Sequence, residues 1–231
     1  MLEELRQAVC RANRMLPVYG LVCLTWGNVS VVDRKENVML IKPSGLPYEE
    51  MTPEDMTAVA LTTGQVVEGT RKPSVDTWIH LELYHAFPQI NSIVHTHSKW
   101  ATIWAQAGKS IPALGTTHAD EFLGEIPCTR AMKAEEIQMN YERNTGRVLA
   151  ETLRQREVFF NGAVLARGHG PFVWGETPQK AIEVAVTLEE VADMAWHTAL
   201  LCGGKAPPMM DELMNKHFYR KHGKDSYYGQ F

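Results

Sequence analysis

Apolar residues at Leu2, Leu5, Val9, Ala12 and Leu16 repeat at the three-and-four spacing of one helical face, so the chain is expected to open with an amphipathic helix. Pro17 and Gly20 then mark a turn. Two β-rich runs follow, LVCLTWGNVSVVD and NVMLIKPSG, and the polar residues 34–37 between them predict a hairpin. Thr52 is placed to cap a short helical turn begun by Pro53, with strands expected over 57–61 and 65–68. A helix over 76–87 ends before Pro88, and the β-branched Ser92-Ile93-Val94 leads into another helix over 99–108. Residues 134–155 and 177–201 read as long helices with a strand, turn and strand between them, in GAVLARGHGPFVWG. A last helix is expected over 209–222. In 177–201 the apolar positions Ile182, Ala185, Val186, Leu188, Val191 and Met194 form a packing face rather than a cofactor box. Strands interleaved with helices in this way predict a sheet covered by helices.

Composition narrows the picture. A chain of 231 residues, 45% hydrophobic, suits one large domain with a substantial core. The balance of 23 basic against 27 acidic residues gives a formal charge of −4, and no basic block is present to follow a phosphate backbone, so nucleic acid is not an expected partner. Cys10, Cys23, Cys128 and Cys202 lie far apart and form no C-x-x-C pair, which predicts core thiols in a reducing compartment rather than disulfides or a zinc ribbon. The acidic N-terminal helix is unlike a signal peptide, and no apolar run is long enough to span a bilayer. A soluble, cytoplasmic protein without a membrane partner is expected.

Candidate chemistry begins in SIVHTHS. His95 and His97 sit at i and i+2, so on a strand both imidazoles face the same side, a spacing that suits a chelate. The pair alone describes two polar residues at a strand end equally well. His169 stands between two glycines in ARGHGPF, a turn able to deliver a side chain to a pocket floor or simply to solvent. Asp76, after KPSV, is a natural oxygen ligand and also a good helix cap. Three imidazoles with one carboxylate are compatible with Zn²⁺, and also with Mn²⁺ or Co²⁺, held as a Lewis acid. Three further segments suit an anion: TWGNVS with Gly27 and Asn28, KPSG with Lys42, Ser44 and Gly45, and KPSVDT with Lys72 and Ser74 before a helix N-terminus.

Taken in order, LTWGNVS, IKPSG, VVEG, KPSVDT, IVHTHS, ATIWAQAG, GTTHAD, IPCTR, HGPFVWG and NKHFYRKHGKDSYYGQ resemble the class II aldolase/AraD-like family, and in particular its sugar-phosphate epimerases. The resemblance runs from the first helix to Gln230. It implies a single three-layer α/β domain over residues 1–231, with a central, largely antiparallel sheet flanked by helices. It also implies a homotetramer whose active sites lie between subunits, with a C-terminal tail, about 223–231, contributing to the interface site. The family's metal ligands fall on Asp76, His95, His97 and His169. Its phosphate pocket falls on Gly27, Asn28, Ser44, Gly45, Ser74 and Val75, to which the anion reading adds Lys42. Its acid/base pair falls on Asp120 and Tyr228. The implied activity interconverts L-ribulose 5-phosphate and D-xylulose 5-phosphate by breaking and remaking the C3–C4 bond, with one acid/base group on each face.

Two positions depart from the family pattern. Val75 replaces a second serine of the phosphate loop, and Glu121 replaces an aromatic residue, adding negative charge beside Asp120 that is expected to raise its pKa. Related aldolases place Glu where this chain has Asp76, so the epimerase is favoured over an aldolase of another sugar phosphate. A non-catalytic scaffold of the same fold, like the adducin head, would be expected to lack the four ligands present here.

Overall fold

The strand VMLI carries apolar residues at successive rather than alternate positions, and all six residues of NVSVVD are buried, as strands covered on both faces require. In the computed structural model, which describes residues 2–155, 162–222 and 226–227, these runs form β1 (Asn28–Asp33) and β2 (Val38–Ile41). They pair antiparallel through the expected hairpin, and Asp33 Oδ1 holds its turn by accepting from the Lys35 and Glu36 amides. The other described strands are β3 (Thr57–Ala60), β4 (Val66–Glu68), β5 (Ser92–His95), β6 (Ala163–Ala166) and β7 (Gly170–Gly175). They complete one sheet in the order β4-β3-β2-β1-β5-β7-β6, and every ladder in it is antiparallel. An isolated bridge from Cys128 to Leu165 is parallel.

The described helices are α1 (Leu2–Val18), α2 (Thr77–Ala86), α3 (Lys99–Ala107), α4 (Thr116–Ala119), α5 (Ala134–Gln138), α6 (Tyr141–Gln155), α7 (Pro178–Leu201) and α8 (Asp211–His222). Strand alternation sorts the core into two layers. Val29, Val31, Leu40, Val94 and Val173 pack with residues of α1, α3 and α7. Met39, Ile41, Ile93, Phe172 and Trp174 face the other way, against α2 and α6. Each fully buried side chain of this size stabilises the fold by roughly 1.5–3 kcal/mol. The three-layer α/β architecture matches the sequence-based expectation.

Four expectations change in detail. The run LVCLTWG is a loop rather than strand, because Leu24 and Gly27 take φ of 52° and 82° and the side chains of Leu24 and Trp26 face outward. The single helix expected over 134–155 is broken at Asn140, whose φ is 55°. The Asn144 amide stops α5 by donating to the Glu136 and Met139 carbonyls, and α6 starts afresh at Tyr141. The last helix begins at Asp211 rather than 209. Of the four free cysteines, Cys10 is a core thiol, Cys128 is half-buried, and Cys23 and Cys202 are exposed. Among the described residues no helix is long and apolar enough to cross a membrane.

α2 and α6 cross closely at Gly146. A Cβ there would lie 2.7 Å from Glu82 Cβ and 2.9 Å from the Ile79 carbonyl oxygen, so only glycine fits this approach.

Candidate active site

The register of the sheet centre sets the site. Asn28 of β1 lies opposite His95 of β5, and His95 lies opposite Phe172 of β7. The His95 ring is 1% exposed and stacks on Phe172 at 4.1 Å and 13°. Its Nδ1–H donates to the Pro171 carbonyl at 2.9 Å, which leaves Nε2 as a bare acceptor. That Nε2 is buried with no hydrogen-bond partner among the described residues, and so is Nδ1 of His169. Buried, unpaired imidazole nitrogens are costly unless something occupies them. Ring centroids of His95, His97 and His169 form a nearly equilateral triangle, with separations of 5.0, 4.7 and 4.9 Å. The donor nitrogens all lie within 4.8 Å of one another, so this three-histidine cluster is able to coordinate a metal ion. Burial, followed by the neighbouring His95, lowers the His169 pKa to about 3, and burial also lowers that of His97. Neutral imidazoles are the form a metal needs.

Two glycines let the backbone reach this arrangement. A Cβ on Gly27 would sit 2.9 Å from the His95 carbonyl oxygen, and one on Gly170 would sit 2.6 Å from that of Thr96. The segment bearing His95 and His97 is thus clamped between two bare backbones.

Asp76 is at the N-cap position of α2, yet its side chain makes no capping bond. It turns instead to the histidines. Oδ2 accepts from Asn28 Nδ2 at 2.7 Å and from Ser74 Oγ at 3.3 Å, and lies 4.0 Å from His95 Nε2. Burial pushes this carboxyl up, but His95, His80, His169 and the Asn28 amide outweigh burial and hold it below the usual carboxylate range.

A cavity of about 730 Å³ opens over the cluster, within the size range of small-molecule sites. The two KPS segments are zipped together along one wall. Ser44 N–H donates to the Lys72 carbonyl, Ser74 N–H donates to that of Lys42, and Pro43 bridges Pro73. This pairing brings Gly27, Asn28, Lys42, Ser44, Gly45, Ser74 and Val75 into the cavity lining with Asp76, His97 and His169. Lys42 is 2% exposed, its Nζ donates to the Thr25 and Pro43 carbonyls, and burial pulls its pKa down to about 8 against the charge of Asp76. Tyr48 anchors the adjoining loop through its hydroxyl, which lies 2.5 Å from the Trp26 carbonyl and 2.9 Å from that of Gly27.

Other expected site residues stand apart. Lys72 does not line the cavity. Neither does Asp120, whose carboxylate is gripped by Arg220 at 2.9 and 3.0 Å and by His217 at 3.0 Å, both from α8. Glu121 is buried and bonded to Lys180 and Lys221 at 2.9 and 2.8 Å. Burial raises its pKa but the two lysines more than reverse this, so the extra charge expected beside Asp120 is neutralised locally. Tyr228 lies outside the described residues. The cavity also uses side chains that sequence reasoning passed over, namely Trp26, Thr102, Gln106, Tyr141 and Glu142. Asn140, a residue that tolerates positive φ, was the available signal for the helix break that turns Tyr141 and Glu142 inward.

Comparison with known proteins agrees with this geometry. The chain is 52% identical over 229 residues to "L-ribulose-5-phosphate 4-epimerase UlaF" of Salmonella paratyphi A and to that of Salmonella typhi, covering 99% of this chain and all of each relative. Among solved structures, an L-fuculose 1-phosphate aldolase superposes with a TM-score of 0.77 at 24% identity, covering 93% of this chain and 94% of that one. The L-fuculose-1-phosphate aldolase of Thermus thermophilus gives a TM-score of 0.69 at 29% identity, covering 89% of this chain and all of its own. Residues 7–196 match the family described as Class II Aldolase and Adducin N-terminal domain, and the chain belongs to that family.

Proposed function

We propose that this chain interconverts L-ribulose 5-phosphate and D-xylulose 5-phosphate, the reaction of an L-ribulose-5-phosphate 4-epimerase. The observation that carries the reading is 52% identity to such enzymes along the whole length of both chains, joined to a three-histidine cluster in a cavity lined by the paired KPS segments. The four ligands are His95, His97, His169 and Asp76, a donor set that suits Zn²⁺ and also accepts Mn²⁺ or Co²⁺. When bound, the ion supplies Lewis-acid stabilisation of the charge that develops on the sugar oxygens as a carbon–carbon bond breaks.

The protein's own groups do the rest. Ser44 and Ser74 hydroxyls, the Asn28 amide, and backbone N–H groups at Gly45 and Val75 hold the phosphate, while Gly27 allows it close to the backbone. Lys42, still mostly charged at neutral pH, favours an anionic substrate. Removal of the C4 hydroxyl proton lets the C3–C4 bond break, its electron pair passing to the C2 carbonyl to leave an enediolate and glycolaldehyde phosphate. With the phosphate held, the aldehyde turns its other face, the bond re-forms, and the C4 oxygen takes back a proton. We assign the two proton-transfer roles to Asp120 and Tyr228, with Tyr228 carried by the tail into a neighbouring subunit's site of a homotetramer. Leu200, Leu201 and Met210, exposed by 58%, 89% and 68%, support a further interface. A phosphorylated substrate and four free thiols fit the cytoplasm.

The test is to supply purified protein with L-ribulose 5-phosphate and measure D-xylulose 5-phosphate with a coupling enzyme. Turnover is expected, to be lost on chelation and restored by Zn²⁺, Mn²⁺ or Co²⁺. Accumulation of free glycolaldehyde phosphate and dihydroxyacetone without epimer would assign an aldolase instead, and full activity in metal-free protein would refute the metal centre.

A further inference from the structure

Behind the three clustered histidines lies a fourth that the reaction does not use. His80 is completely buried, and burial keeps its imidazole neutral, with a pKa of about 3. Its ring meets Phe172 edge-on at 6.0 Å, the same ring on which His95 stacks. Nδ1 lies 2.7 Å from Ser30 Oγ, and Ser30 Oγ lies 2.7 Å from the Tyr84 hydroxyl. Nε2 is buried without a hydrogen-bond partner among the described residues.

Spacing explains why these groups meet. Asp76, His80 and Tyr84 recur every fourth residue along one face of α2, and Asn28 and Ser30 are two apart on one face of β1. A four-residue helical step of about 6.0 Å nearly equals a two-residue strand step of about 6.6 Å, so the side chains join as rungs. Asn28 bonds Asp76, and Ser30 bonds both His80 and Tyr84. The rung carrying His80 therefore lies directly beneath the one carrying Asp76, and the two groups interact electrostatically.

The neighbouring carboxylate selects the tautomer. A lone pair on Nε2 would oppose the negative charge of Asp76, whereas an N–H dipole is attracted to it. With hydrogen on Nε2, Nδ1 accepts from the Ser30 hydroxyl, and Ser30 Oγ accepts from Tyr84. Every proton in the chain then has an acceptor except the one on Nε2.

We propose that His80 is a positioning residue for the metal centre, in which the Tyr84–Ser30 chain locks its Nε2–H behind Asp76 and so holds that carboxylate beside His95. The inference rests on the metal-centre reading above. Hydrogen bonds from Asn28 and Ser74 fall on Oδ2, and the buried Nε2 of His80, which no other group engages among the described residues, acts on the carboxylate through its charge distribution.

The experiment measures Co²⁺ affinity of the metal-stripped full chain by visible absorption, with circular-dichroism melting alongside. His80→Phe keeps the ring but removes both nitrogens, and should weaken Co²⁺ binding about 10–100-fold. His80→Gln places an amide N–H near the position of Nε2, and should recover most of that loss. Ser30→Ala frees the tautomer and should weaken binding by about 3–10-fold, below the loss expected for a deleted outer partner. A folded His80→Phe protein with unchanged affinity overturns the proposal, as does His80→Gln binding no better than His80→Phe. If His80→Phe does not fold, Ser30→Ala decides, since unchanged affinity there also overturns it. Absence of Co²⁺ binding by the unaltered chain would instead refute the metal centre itself.

Discussion

Gly146→Ala perturbs the contact that sets the distance between the helix bearing Asp76 and the helix whose first residue, Tyr141, lines the cavity. The added methyl would lie 2.7 Å from Glu82 Cβ and 2.9 Å from the Ile79 carbonyl oxygen. Ordinary contact begins near 3.4 Å, so α2 and α6 must separate by about 3.4 minus 2.7, or 0.7 Å, at the crossing. One of the obstructing atoms is backbone, which cannot rotate away. Overpacking of this kind costs about 1–3 kcal/mol. Alanine's better helix propensity returns about 1 kcal/mol. The net expectation is a loss of up to about 2 kcal/mol, or a fall in Tm of up to roughly 8 °C for a chain of this size. Metal affinity should fall with it, because α2 carries Asp76 and His80 while α6 stays packed on the sheet. Thermal melting and Co²⁺ titration of the same preparation measure both. A Tm above that of the unaltered chain, or an unchanged Tm with unchanged Co²⁺ affinity, would show that the glycine is not what sets the crossing.

Three other outcomes follow from the site. Ser44→Ala and Ser74→Ala should each raise KM for the phosphorylated sugar and release some glycolaldehyde phosphate, with Ser74→Ala also weakening metal binding through Asp76; steady-state kinetics unchanged in both would remove them from the phosphate pocket. Asp120→Asn and Tyr228→Phe proteins, each impaired alone, should regain activity when subunits are mixed by unfolding and reassembly, whereas proven mixed tetramers without recovery would put both residues in one chain's site. In metal-free protein His80 and His169 have folded pKa values near 3 against an ordinary 6.5. The unfolded chain therefore binds the extra protons, and stability present above pH 6.5 is lost as pH falls from there towards 3, at up to about 1.4 kcal/mol per pH unit for each histidine. Urea midpoints that stay flat from pH 7 to 4 would contradict that burial.

How much of this was legible in the sequence depended on how far each signal had to reach. His95 and His97 were readable because their i, i+2 spacing is a local signal, and their rings converge although β5 ends at His95 and His97 lies just beyond it. Asp76 was ambiguous between ligand and cap, since either role needs the same residue at the same helix end; its side chain makes no capping bond and accepts from Asn28 instead. The pairing of the two KPS segments was hidden because it is a backbone contact between stretches thirty residues apart, which side-chain patterns do not report. The ion pair between Asp120 and Arg220 spans a hundred residues, and no periodicity links them. Asn140 is the opposite case, a local signal outweighed by a long helical pattern on both sides of it.

The clamp of Gly27 and Gly170 around the histidine segment has an evolutionary consequence. A side chain at either glycine would strike the backbone at residues 95 and 96, so it would displace the segment that carries the proposed ligands His95 and His97. Trp26, Thr102, Gln106, Tyr141 and Glu142 sit on loops and helices that bound the same cavity without taking part in that contact. Selection can therefore rewrite which sugar phosphate is accepted while leaving the bond-breaking apparatus intact. A library aimed at new substrates belongs on those five positions, and one that includes the two glycines would consist mostly of proteins unable to hold a metal.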